Sequence, residues 1–129
     1  MPYDLFFFGG GVFGLELGSV WMRLGAKVTV VEYLDKLLGG MDGDVSKQFQ
    51  RMMAKQGMDI RTDAKVTGVE KTASGAKVTY EPVKGGDAQS LEADVVLIAT
   101  GRKPYTAGLG LEEAGVALDN RGRVEIDGH

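Results

Sequence analysis

Apolar residues recur along the chain with two different spacings, and the change of spacing predicts the elements. Leu5-Phe6-Phe7-Phe8 is a continuous apolar run that stops at Gly9-Gly10-Gly11, which predicts a buried strand ending in a tight turn. From Val12 to Leu24 the spacing is helical. Val12, Leu15, Val20 and Leu24 fall on one predicted face with Trp21, and Gly25 is a natural helix stop. The β-branched stretch Lys27 to Glu32 predicts a second strand. After a loop at Leu37-Leu38-Gly39-Gly40-Met41, Asp42 is placed to cap a helix that reaches about Gln56, with Val45, Phe49, Met52 and Met53 on its apolar side. Gly57 ends it, and Met58 to Arg61 predicts a third short strand.

The texture then changes. Ala64 to Lys71, Ala76 to Pro82 and Gln89 to Glu92 are short β-like segments parted by Ser74-Gly75 and Gly85-Gly86, the pattern of a three-stranded antiparallel meander. Asp94 to Ala99 is an apolar run suited to a central strand buried on both faces. It ends in the turn Thr100-Gly101-Arg102-Lys103-Pro104. The remainder holds a brief helical piece near Leu111 to Ala114 and a weak strand near Val124 to Ile126. This order predicts an α/β fold: an open, mostly parallel sheet with helices on one face and a small antiparallel layer on the other. No internal boundary or repeat interrupts it, so the expectation is one domain over residues 1–129.

Composition narrows the chemistry. The formal net charge is -3 with no basic run, which argues against nucleic acid as the main partner. No apolar stretch is long enough to span a bilayer. Met1-Pro2-Tyr3-Asp4 lacks the basic start of a signal peptide, so a cytosolic or organelle-matrix location is expected. There is no cysteine, hence no disulfide or thiolate chemistry, and the one histidine is His129 at the chain end. A Ser-His-Asp triad or a histidine-rich metal site is not expected.

Gly9-Gly10-Gly11-Val12-Phe13-Gly14 satisfies G-x-G-x-x-G, and here it follows a predicted strand and opens a predicted helix. That context predicts a Rossmann-like dinucleotide turn. Gly9 serves the sharp turn, Gly11 the approach of a pyrophosphate, and Gly14 close helix–sheet packing. The free N–H groups of the helix start then face the phosphates. A glycine turn that opens a helix without any ligand is the plain alternative. Glu32 ends the second strand 18 residues after Gly14, where a carboxylate can accept from adenosine ribose hydroxyls and repel a 2′-phosphate. This favours NAD over NADP; a solvated charge at a strand end is the other reading. Glu16, placed in the first turn of the first helix, has a bland account as a carboxylate favoured by the helix dipole. Gly101 serves either close approach to a cofactor or the turn itself.

GGGVFGLELGSVWMRLGAKVTVVE, KQFQRMMAKQG, KVTGVEK, ADVVLIATGRKPYT and LGLEEAGVALDNRGRVEI together resemble the NAD domain of dihydrolipoamide dehydrogenases, flavoproteins built from two dinucleotide-binding domains. The resemblance covers almost the whole chain. It implies that Gly9, Gly10, Gly11, Val12, Phe13, Gly14, Leu15 and Glu16 form the pyrophosphate and nicotinamide loop. Glu32 would then hold the ribose, Val66 lie beside the adenine unless it is plain core, and Gly101 line the cleft. It implies NAD as the cofactor, with FAD belonging to the whole enzyme, and the FAD and interface domains as partners. The parent reaction implied is oxidation of dihydrolipoamide through a cysteine pair and FAD to NAD⁺, in the bacterial cytoplasm or the mitochondrial matrix.

The chain also departs from that pattern. The cysteine pair, a second glycine fingerprint and the catalytic histidine are missing, so an excised fragment without lipoamide turnover is expected. Phe6, Phe7, Phe8 and Phe13 stand where the family usually has Val or Ile, and Pro2-Tyr3-Asp4 fits it poorly. Either an altered N-terminal end or an uncommon natural variant accounts for this. The rival reading is an engineered scaffold or self-assembling module with little or no NAD binding, associating as a homo-oligomer through apolar surface bared by excision.

Overall fold

A computed structural model describes residues 3–128. Met1 and Pro2 of the chain opening, and the sole histidine His129, lie outside the described residues. The elements run β1 (Asp4–Phe8), α1 (Val12–Arg23), β2 (Lys27–Val31), α2 (Gly43–Lys55), β3 (Asp59–Arg61), β4 (Ala64–Lys71), β5 (Ala76–Pro82), β6 (Gln89–Ala93) and β7 (Val95–Ile98). β3-β2-β1-β7 form a parallel four-stranded sheet, and β4-β5-β6 a separate antiparallel one. The fold is α/β and Rossmann-like, with a three-stranded meander.

The period of two along the strands divides the core. Phe7, Val28 and Val30 join Leu15, Leu37, Leu38, Met53 and Met58 on the helix side of the sheet. Their neighbours Phe6 and Val31 join Ala64, Val78, Tyr80 and Ala93 on the meander side. Consecutive phenylalanines therefore serve two cores. Phe6 and Phe7 are both fully buried, and Phe7 meets Trp21 with ring centroids 5.9 Å apart.

Four expectations need correction. The buried face of α1 is Gly14, Leu15 and Gly18, whereas Val12, Val20, Trp21 and Leu24 are exposed. Gly14 is the reason: a Cβ there would lie 2.5 Å from the carbonyl oxygen of Gly9, so the helix seats its glycines against the sheet. On α2 the inward residues are Ser46 and Met53, with Phe49 partly buried; Val45 and Met52 face solvent. β7 is an edge strand paired only with β1, and Val95 and Ile98 are exposed, so it is not buried on both faces. The segment after Ile98 carries turns. The piece at 111–115 is a single helical turn closed by Ala114 N–H to Gly110 C=O, and the expected strand at 124–126 reduces to one bridge, Leu118 to Val124. Ile126 has no strand beside it and is exposed.

No helix among the described residues is long and apolar enough to cross a membrane.

Candidate functional site

β1, β2 and β7 run in the same direction, so the turns at their carboxyl ends come together. The chain leaves β1 towards β2 on one side and returns as β7 on the other. Ligands of open α/β sheets bind at such a switch point. A cavity of about 410 Å³ lies here, lined by Phe8, Gly9, Gly10, Gly11, Val31, Glu32, Tyr33, Leu34, Gly39, Gly40, Ala99, Thr100 and Gly101. An apolar groove between Tyr3, Trp21, Leu24 and Val95, about 240 Å³, sits at the amino ends of β1 and β7. It carries no convergent polar groups, so the carboxyl-end cavity is the better seat for a polar ligand.

The glycines divide by what a side chain would strike. Gly9 has a φ of +111°, and a Cβ on it would lie 2.4 Å from the carbonyl oxygen of Ala99. At Gly10 it would meet Leu37 Cδ2 at 2.5 Å and the Glu32 side chain at 3.2 Å. Protein packing thus accounts for Gly9, Gly10 and Gly14. Gly11 is different. Its backbone is ordinary extended chain (φ -79°, ψ 178°), and a Cβ would meet no protein atom within 4 Å. Neither conformation nor packing asks for glycine there, and the residue lines the cavity.

Gly11 is also the N-cap of α1, and no side chain caps that helix end. α2 is unlike it: the Asp42 carboxylate accepts from the N–H groups of Asp44 and Val45, as expected from the sequence. The start of α1 therefore leaves backbone donors and the positive end of the helix dipole open for an anion.

Glu32 closes the cavity on the β2 side. Its carboxylate accepts from Gly10 N–H at 2.6 Å and from Leu34 N–H at 2.9 Å. An ionised carboxylate offers about four acceptor positions. The two bonds fix its orientation, and it makes no further hydrogen bond or ion pair among the described residues. The arrangement can hold a ligand with an anionic centre beside Gly11 and hydroxyl donors beside Glu32.

Of the residues expected at the site, Gly9, Gly10, Gly11, Glu32 and Gly101 line the cavity, and Val12, Phe13, Gly14, Leu15, Glu16 and Val66 do not. Gly14 and Leu15 are buried under α1. Phe13 is 62% exposed and does not line the cavity. Glu16 belongs to the second turn of α1, since the first turn holds no acidic residue, and it is exposed. Val66 packs against the meander core. Phe8, Val31, Tyr33, Leu34, Gly39, Gly40, Ala99 and Thr100 also line the cavity and are not among the residues expected there, although those at the carboxyl ends of β1, β2 and β7 are signalled by their position. Gly39 and Gly40 form the turn closed by Met41 N–H to Leu38 C=O at 2.8 Å. No group of three or more histidines, aspartates and glutamates among the described residues could hold a metal ion.

A parallel sheet with a glycine turn and an acid at this switch point defines a Rossmann-like α/β domain. The sequence matches the pyridine nucleotide-disulphide oxidoreductase family over residues 1–129, and the chain belongs to that family. It is 55% identical to dihydrolipoamide dehydrogenase of Chaetomium thermophilum over 128 residues, covering 98% of this chain and 25% of that protein. Dihydrolipoyl dehydrogenase 3 of Pseudomonas aeruginosa is 48% identical, over 99% of this chain and 27% of the relative. Among solved structures, the HOCl-induced flavoprotein disulfide reductase RclA of Escherichia coli superposes with a TM-score of 0.80 at 32% identity, covering 98% of this chain and 27% of that one. The chain thus spans about a quarter of the length of the curated relatives it matches.

Proposed function

We propose that this chain is the pyridine-nucleotide-binding domain of a dihydrolipoamide dehydrogenase and that the cavity at the carboxyl ends of β1, β2 and β7 takes NAD(H). The observation that carries the reading is Gly11, a glycine that the fold does not require at the mouth of an uncapped helix. The pyrophosphate sits against Gly11 and the first N–H groups of α1, and Glu32 accepts from the adenosine ribose. Gly101 borders the same space. Glu16 on the nicotinamide side and Val66 beside the adenine are assignments that rest on the family resemblance. The carboxylate of Glu32 disfavours a 2′-phosphate, so NADH binds more tightly than NADPH.

The parent reaction, from dihydrolipoamide through a disulfide and FAD to NAD⁺, needs groups this chain lacks: it has no cysteine. The chain holds a nicotinamide nucleotide and orients it, and the FAD and interface domains of the whole enzyme supply the rest, in a bacterial cytoplasm or a mitochondrial matrix. Calorimetric titration tests the proposal: saturable heat with NADH, smaller with NADPH, is expected, and no heat at millimolar NADH overturns it.

A second reading has its own observation. Val20 and Trp21 on α1, Leu24 just after it and Val95 on the edge strand β7 expose apolar surface, which favours self-association. Sedimentation over a concentration series decides it: a monomer throughout removes the reading.

A further inference from the structure

Gly10 is held from both sides. Its N–H donates to Glu32, its C=O accepts from Leu38 N–H at 3.0 Å, and the Leu37 side chain fills the place of its missing Cβ. Leu37 and Leu38 are buried. Leu38 has a φ of +53°, a conformation that a leucine adopts only where its surroundings impose it. The peptide that precedes it is also bonded to α2. Ser46 is 1% exposed, and its hydroxyl donates to the carbonyl oxygen of Leu37. A buried hydroxyl on an otherwise apolar helix face needs such a partner, and a carbonyl so placed needs its donor. The bond ties the Leu37–Leu38 peptide to α2, and Leu38 N–H in turn ties Gly10.

We propose that Ser46 is a positioning residue for the nucleotide cleft, acting from α2 through Leu37 and Leu38 to fix the Gly10 peptide and so the aim of the glycine turn. This rests on the nucleotide-binding reading, but its structural half stands without ligand. Ser46 lines no part of the cavity. Its effect on binding is therefore indirect.

The test compares Ser46→Ala, Ser46→Cys and, as a control in the other core, Val78→Ala. In the ligand-free protein, Ser46→Ala speeds hydrogen exchange at Leu38 N–H about tenfold and shifts the Gly10 and Gly11 amide signals, the loss of one neutral hydrogen bond. It weakens NADH binding by a similar factor at temperatures where the domain is folded. Ser46→Cys, which keeps the volume and a weak donor, restores part of both. Val78→Ala lowers Tm without moving either. Unchanged Leu38 exchange in Ser46→Ala overturns the proposal, as does an equal change in Val78→Ala. Should Ser46→Ala not fold, Ser46→Cys carries the comparison against Val78→Ala. If the unaltered chain binds no NADH, the nucleotide reading fails, and the exchange data still decide whether Ser46 holds the turn.

Discussion

Substituting alanine at Gly11 and, separately, at Gly14 divides the glycine turn into a ligand part and a folding part. At Gly14 the new Cβ lands 2.5 Å from the backbone oxygen of Gly9 and 3.3 Å from Ala99 Cβ. Neither neighbour is a flexible side-chain end, so α1 must lift from the sheet. Overpacking of this kind costs about 1–3 kcal/mol, and a backbone clash belongs at the upper end. For a domain of this size that is a fall in Tm of roughly 10 °C. At Gly11 the added methyl meets no protein atom. Alanine is a poorer N-cap than glycine, but it reduces the freedom of the unfolded chain by about 0.4–1 kcal/mol, so the two effects nearly cancel. Tm moves by no more than about 2 °C. Binding behaves in the opposite way: the methyl occupies the space of the pyrophosphate, and a displacement worth about 1–3 kcal/mol weakens NADH between roughly fivefold and 150-fold. Thermal unfolding and an NADH titration of both variants measure it. If Gly11→Ala binds NADH like the unaltered chain, the cavity is not the nucleotide seat. If it unfolds as readily as Gly14→Ala, the fold itself needs Gly11.

Removing the α2 cap by Asp42→Ala takes away the acceptor for two N–H groups and lowers stability by about 1 kcal/mol in chemical denaturation, with NADH binding unchanged. Phe7→Ala opens a hole in the helix-side core and costs about 3–5 kcal/mol, read the same way. Glu32→Gln leaves one of the Gly10 and Leu34 N–H groups facing an amide NH₂; stability falls by about 1–2 kcal/mol, and the preference for NADH over NADPH narrows in paired titrations. In the segment after β7, Asp119 accepts from the backbone N–H of Arg123 and also of Arg121, and its carboxylate pairs with the Arg123 guanidinium. These hold its pKa below the ordinary 3.8, the Arg123 backbone bond contributing most. The contribution of Asp119 to the turn is present above the unfolded-state value and is lost as pH falls through the lowered one. A carboxyl NMR titration of Asp119 shows a midpoint under 3.8, and Arg123→Ala raises it.

The sequence disclosed strands and helices well because their signals are local. Leu5 to Phe8, Lys27 to Val31 and the capped start of α2 declare themselves by β-branching, continuity or a carboxylate at the right place. The inward face of α1 is hidden from an apolar pattern because glycine carries no apolar signal, whereas Gly14, where a Cβ would strike the Gly9 carbonyl, is what lets the helix approach. β7 lies at the sheet edge, which its apolar run does not reveal, since such a run cannot say how many neighbours a strand will have. At the site, the glycine turn and Glu32 were legible as residue types at a spacing. The bonds from Gly10 and Leu34 N–H to Glu32 were not, since backbone donors leave no trace in composition. Nor was the left-handed Leu38, whose neighbours Gly10 and Ser46 come from distant parts of the chain and meet its peptide only in three dimensions.

The most direct test of NAD binding is an amide-resolved NMR titration of the chain with NADH. Saturable shifts concentrated at Gly9, Gly10, Gly11, Leu34, Gly40, Thr100 and Gly101 are expected. Spectra unchanged at millimolar NADH, or shifts confined to the apolar groove around Trp21 and Leu24, contradict it.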